Sequence, residues 1–185
     1  IAQAAKWIQA ASQTGAQVSR IFGGHIGDRN DESALSSALE KVLFAMKELA
    51  SAAEDHKVIL AVENHGGVPG LGEEQVKIIE EVNSPFLRAT VDVGNYMSCG
   101  QDPVEGSSLA APYCAYVHFK DMKKSSQGLE SCVVGEGDVD HAGCLEVLNK
   151  AGYNGYVALE YEGSEDEREG VRKSVAFMHE VMSEY

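Results

Sequence analysis

No apolar run in this 185-residue chain approaches the roughly 18 to 20 residues that cross a bilayer. Its start, Ile1-Ala-Gln-Ala-Ala-Lys6, is not the charged n-region of a signal peptide. Basic residues are scarce: 15 Lys and Arg face 29 Asp and Glu, for a formal charge of −14. Lys120, Lys123 and Lys124 form the one basic cluster, so a nucleic-acid partner is disfavoured, as is a membrane role. Cys99, Cys114, Cys132 and Cys144 include no C-x-x-C pair, which argues against a structural zinc site or a thioredoxin-like motif. Reduced, partly buried thiols are expected, with a reducing cytoplasm as the default location. A phosphate-binding G-x-G-x-x-G turn is also missing; Gly23-Gly-His-Ile-Gly27 has the wrong order. Ile1 is not an initiator residue and opens directly into an Ala-rich helical stretch, which points to a segment upstream.

What is present is enough apolar content, 44%, to bury one sizeable core, with no compositional break between halves. A single domain over 1–185 is the expectation. Helical character over 1–11 is followed by a short strand at 17–22. A long amphipathic helix spans 33–56, with Leu35, Leu39, Val42, Leu43, Met46 and Leu49 at helical spacing and Asp31 or Ser33 as N-cap. Strands are predicted at 57–63, 87–93, 115–120 and 156–161. Helices are predicted at 73–82, 104–111, 140–150 and 166–185, with a polar loop over 123–134. Five nearly continuous apolar strands alternating with helices indicate an α/β fold with a parallel sheet.

Four polar residues end successive apolar runs: Glu63 after Val58-Ile-Leu-Ala-Val62, Asp92 after Arg88-Ala-Thr-Val91, His118 after Tyr116-Val117, and Glu160 after Tyr156-Val-Ala-Leu159. One carboxylate at a strand end is ordinarily a loop hydrogen-bonder or a helix cap. Four at corresponding positions read differently, because strand ends in a parallel β/α barrel converge on one cavity. Two glutamates, an aspartate and a histidine suit one divalent ion, Mn²⁺, Co²⁺, Mg²⁺ or Zn²⁺.

The segments Val62-Glu-Asn-His-Gly66, Val91-Asp-Val-Gly-Asn95, Val117-His-Phe-Lys-Asp121, Gly135-Glu-Gly-Asp-Val-Asp140 and Gly152-Tyr-Asn-Gly-Tyr-Val-Ala-Leu-Glu160 resemble, in that order, the sugar phosphate isomerase/epimerase family of xylose isomerase-like TIM barrels. That resemblance implies a (β/α) barrel in which these five strands are the fourth to eighth and the first three βα units are absent. Two open strand edges would then call for completion, in a longer protein of about 270 residues or through a partner such as a second copy in a homo-oligomer. It also implies a small carbohydrate substrate and a divalent metal held by Glu63, Asp92, His118 and Glu160. Glu63 and Glu160 would pass a proton through a metal-stabilised enediolate, for isomerisation or epimerisation. A lyase of the inosose dehydratase kind uses the same scaffold, and a non-catalytic binding module is the third reading.

Around those four, Lys120 shares a strand face with His118 and could reach a substrate oxygen; its structural alternative is a salt bridge to Glu160, Glu162 or Asp121. His65, His25 and Asn95 are further substrate-side candidates, although Asn95 stands where ketose 3-epimerases of the family place a histidine. Endonuclease IV-type relatives need three zincs and extra histidines. Here Asn95 replaces one imidazole, and Leu129-Glu-Ser131 stands where an Asp-x-His pair is expected. Gly135-Glu-Gly-Asp138 reads as a tight turn into an Asp140-capped helix, since Asp138 and Asp140 would repel a phosphate.

Overall fold

A computed structural model describes residues 1–183 and 185. Helix α1 (Ala2–Gln13) leads into strand β1 (Val18–Phe22), followed by α2 (Glu32–His56), β2 (Ile59–Glu63), α3 (Gly72–Val82) and β3 (Leu87–Asp92). Two short helices, α4 (Asn95–Ser98) and α5 (Pro103–Ala110), precede β4 (Cys114–Phe119). An antiparallel hairpin, β5 (Asp121–Ser125) and β6 (Gly128–Cys132), precedes α6 (His141–Lys150), β7 (Val157–Leu159) and α7 (Glu167–Met182). The main sheet has the order β1-β2-β3-β4-β7, and every pairing in it is parallel.

Side-chain alternation splits this sheet into two environments. Leu60 and Val62 of β2, Leu87, Ala89 and Val91 of β3, and Val117 and Phe119 of β4 pack in one core with Val42, Met46 and Leu49 of α2, Ile78 and Ile79 of α3, and Leu145 and Leu148 of α6. Each such side chain contributes about 1.5–3 kcal/mol by leaving water. The intervening positions, Ala61, Glu63, Thr90, Asp92 and His118, face the other way, and the register Val91↔Val117 and Asp92↔His118 keeps the two sets apart across strands. Both faces of β2 and β3 are nearly dry, which is why these strands read as continuous apolar runs.

Helix boundaries follow their caps. The Asp31 carboxylate accepts from Ala34 N at 2.9 Å and Asp140 from Gly143 N at 2.9 Å. At their C-terminal ends, α2 and α3 stop on left-handed Lys57 and Asn83.

Two expectations need correction. The segment expected as a polar loop over 123–134 is largely the β5–β6 hairpin; its strands expose most of their side chains, so the apolar alternation that marks a strand is missing. The last strand is shorter than predicted because it pairs only with β4, but Glu160 N still donates to Phe119 O at 2.9 Å and holds Glu160 in line. The closing helix ends at Met182, and Glu184 lies outside the described residues. Among the described residues β1 and β7 each pair on one side only. A broad concavity of about 790 Å³ beside β7, lined by Leu159, Tyr161, Val171 and Val175 among others, marks one of these edges.

Candidate metal centre

Parallel strands in register bring Glu63, Asp92, His118 and Glu160 to the carboxyl edge of β2, β3, β4 and β7, where one ligand-type atom from each lies within 4.8 Å of the others. His118 Nδ1 is 2.7 Å from Glu63 Oε1, 3.9 Å from Asp92 Oδ2 and 3.9 Å from Glu160 Oε2. Glu63 and Asp92 are fully buried, and His118 nearly so.

The surroundings show why these groups stand where they do. Asn64 clips the ends of β2 and β3 together: its Nδ2 donates to Asp92 O at 2.8 Å, and its Oδ1 accepts from Asp92 N at 2.9 Å. From α3, Gln75 Nε2 donates to Val62 O at 2.7 Å and Thr90 O at 2.9 Å, satisfying two buried carbonyls between the strands. Tyr96 OH donates in turn to Gln75 Oε1 at 3.2 Å. One oxygen of Asp92, Oδ1, accepts from Gly94 N and Asn95 N, both at 2.9 Å. Its other oxygen, Oδ2, is buried without a hydrogen-bond partner. Glu160 Oε2 is likewise shielded from solvent, but it has an ion-pair partner, Lys120 Nζ at 2.8 Å.

Two cations flank the carboxylates. Lys120 is buried, with its Nζ 2.8 Å from Glu160, 3.1 Å from Glu162, 3.3 Å from Asn95 Oδ1 and 3.9 Å from Asp92. It therefore meets two of its three expected ion partners, Glu160 and Glu162. Gly94 makes the room, since a Cβ there would come within 2.9 Å of the Lys120 Cγ and carbonyl oxygen. On the other side Arg20 Nη1 donates to Glu63 Oε2 at 2.8 Å and lies 3.5 Å from Glu160 Oε1.

Burial pushes the Asp92 carboxyl well above the usual carboxylate range, and the Lys120 charge offsets only part of that. Burial would also raise Glu160, but contacts with Lys120 and Asp92 outweigh it and bring Glu160 down to about 2. For Lys120, burial alone would lower the ammonium, yet the Asp92 and Glu160 charges raise it. An unpartnered buried oxygen on Asp92, a raised aspartate, two further carboxylates and an imidazole nitrogen facing one point are what a divalent cation would relieve, so the residues fit the ion their types predicted.

Asn95 joins the cluster through Lys120. His65 is set apart: its ring stacks on Phe22, with centroids 4.2 Å apart. His25 is an exposed loop residue. Among the described residues neither histidine side chain hydrogen-bonds to the four. Arg20, Asn64 and Gln75 were not foreseen from sequence. Over the centre lies a cleft of about 410 Å³ lined by Val18, Arg20, Tyr116, His118, Leu159 and Glu160. The Gly135 turn proves to be a cradle already filled from within: Gly135 N and Gly137 N donate to Asp121 Oδ2 at 2.8 and 3.0 Å, and Val139 N donates to Asp121 Oδ1 at 3.2 Å.

Residues 1–181 match the family model described as xylose isomerase-like TIM barrel. An uncharacterized protein of Methanocaldococcus jannaschii is 24% identical over 136 residues, covering 71% of this chain and 46% of the relative. The chain thus spans about half the length of that curated relative. Among solved structures, a D-tagatose 3-epimerase-like protein superposes with a TM-score of 0.79 at 22% identity, over 97% of this chain and 67% of that one. An IolI protein with a bound zinc atom superposes at 0.78 and 16% identity, over 98% and 68%. At these identities the likeness is one of fold.

Proposed function

The chain belongs to the xylose isomerase-like TIM barrel family, and from that premise we propose that its strand-end cluster is the centre of a divalent-metal-dependent isomerase or epimerase acting on a sugar or a related polyol derivative. The observation that carries the reading is the convergence of Glu63, Asp92, His118 and Glu160, with Asp92 Oδ2 buried and unpartnered. The epimerase-like neighbour and the zinc of the IolI neighbour agree with it. A divalent cation there would supply Lewis acidity toward a substrate carbonyl and its neighbouring hydroxyl.

The chain's own residues do the rest. Asp92 and His118 hold the ion, with Asn64 and the Gly94 and Asn95 amides fixing Asp92. Glu160, kept ionised beside Lys120, takes the proton from the carbon next to the carbonyl. Glu63 lies across the cluster, held between His118 and Arg20, and serves the second proton transfer. Return to the adjacent carbon is isomerisation; return to the opposite face of the same carbon is epimerisation.

The test is deuterium uptake. Metal-loaded protein is incubated in D₂O with a panel of ketoses, aldoses and inososes, and products are read by mass spectrometry. One deuterium in a product of otherwise unchanged mass supports the reading, and its loss in Glu160→Gln and Glu63→Gln assigns the residues. Loss of water from the substrate would instead identify a dehydratase. Failure to bind metal or exchange any proton would leave a binding module.

A further inference from the structure

Arg20 has no place in the metal set, yet it contacts Glu63 and lines the cleft beside His118 and Glu160. We infer that Arg20 is the substrate-selecting residue of this site, reading the carboxylate of a polyhydroxy acid with the free edge of its guanidinium; the inference rests on the metal-centre reading above.

The geometry leaves Arg20 with donors to spare. Only Nη1 donates a hydrogen bond, to Glu63, while Nε and Nη2 make none among the described residues. A guanidinium carries five N–H donors in a flat fork that matches a carboxylate edge. The plane is held in place: Phe22 lies 4.3 Å from the guanidinium carbon, and the Phe22 ring stacks on His65. The side chain keeps a third of its surface open, to a cleft whose other walls include Val18, Tyr116 and Leu159.

Lys120 cannot take this part. An ammonium has three donors, and its neighbours Glu160, Glu162 and Asn95 already surround it.

Charge decides what kind of acceptor the fork expects. Glu63, Asp92 and Glu160 against Arg20 and Lys120 leave one net negative charge; a divalent ion turns that into one net positive. Glu162, half-exposed and 3.1 Å from Lys120, weakens that positive charge without cancelling it. A monoanion therefore suits such a centre better than a phosphate dianion.

The experiment uses the full chain with Mn²⁺ and three probes, sorbitol, gluconate and sorbitol 6-phosphate, in calorimetric titrations of wild type, Arg20→Gln and Arg20→Lys. Mn²⁺ per chain is counted first. One Mn²⁺ per chain, gluconate binding at least about tenfold tighter than sorbitol in wild type, and collapse of that preference in Arg20→Gln support the inference. Unchanged preference in Arg20→Gln, equal binding of gluconate and sorbitol, or tighter binding of the phosphate overturns it. If Arg20→Gln fails to hold Mn²⁺, Arg20→Lys decides, because it keeps the charge without the fork. A clear loss of the gluconate preference in Arg20→Lys supports the inference, and retention overturns it. Absence of Mn²⁺ from wild type overturns the metal-centre reading and this one with it, whereas Mn²⁺ without a carboxylate preference overturns the role of Arg20 alone.

Discussion

Replacing Asp92 by Asn should make the metal-free protein more stable at pH 7 while abolishing its response to metal. The Asn side chain keeps an oxygen for the Gly94 and Asn95 amides and puts an NH₂ where Oδ2 stands unpartnered beside Glu160. It removes a buried charge that Lys120 compensates from 3.9 Å. Relieving one unsatisfied buried polar group is worth about 1–3 kcal/mol, or roughly 2–12 °C in Tm for a chain of this size. Wild type at 100 times the metal Kd should gain about 2.7 kcal/mol from binding, and the variant close to none. The pH dependence carries its own sign. Because the folded state holds the Asp92 proton more tightly than the unfolded chain does, its contribution is full below the ordinary carboxylate pKa and is lost as pH rises through the higher folded value. Glu160 runs the other way, but only between the ordinary glutamate range and about 2, and the buried His141, whose imidazole pKa burial lowers, contributes equally to both proteins, so the difference between urea melts at pH 5 to 8 isolates Asp92. The difference in stability, variant minus wild type, should therefore grow with pH across that window. A metal-free variant that melts below wild type at pH 7, or that still gains stability on adding Mn²⁺, would refute the reasoning.

Three further outcomes are expected. Gln75→Ala strands the Val62 and Thr90 carbonyls in a dry interior and should lower stability by about 2–6 kcal/mol in urea melts, each unmet carbonyl accounting for about 1–3. Asn64→Ala removes both hydrogen bonds to the Asp92 backbone and should weaken metal binding by about 10–100-fold while the four ligands stay in place, as read by competitive chelator titration. Burial pushes the Cys114 and Cys144 thiols up to about 12, so the stability each thiol contributes is complete below the unfolded thiol range and declines by about 1.4 kcal/mol per pH unit above pH 9; Cys114→Ser/Cys144→Ser protein should show a shallower alkaline decline, the remainder coming from groups such as Cys132 and Tyr96 that burial also raises.

Much of this was legible because it depends on strands that are dry on both faces. The runs ending in Glu63 and Asp92 announce themselves, and their last residues are polar for a reason that sequence position makes visible. His118 and Glu160 follow by the same logic, one on a central strand and one just past an edge strand. Arg20 escaped notice because β1 pairs on one side only and keeps its side chains half-exposed, so a cation in it looks like ordinary surface. Gln75 left a signal that could have been used: it shares the helical spacing of Ile78, Ile79 and Val82, and a polar residue on an apolar stripe asks for a buried partner. The hairpin left almost none. Of its side chains only Asp121 and Met122 are buried, so no apolar alternation marks its two strands. Reading the Gly135 segment as a turn into an Asp140-capped helix was correct, but its anion comes from Asp121, and no local rule links residues so far apart.

That internal carboxylate has an engineering consequence. Asp121 moors the base of the β5–β6 hairpin through three backbone amides, and a Cβ at Gly137 would overlap its carboxylate. The strands carry little of the core beyond Met122, and the tip at Ser126 and Gln127 is open to solvent. Mooring at the root and freedom at the tip make this hairpin the natural point for inserting an epitope or fluorophore, where added residues would lengthen a loop without displacing Lys120 and the carboxylates beyond it.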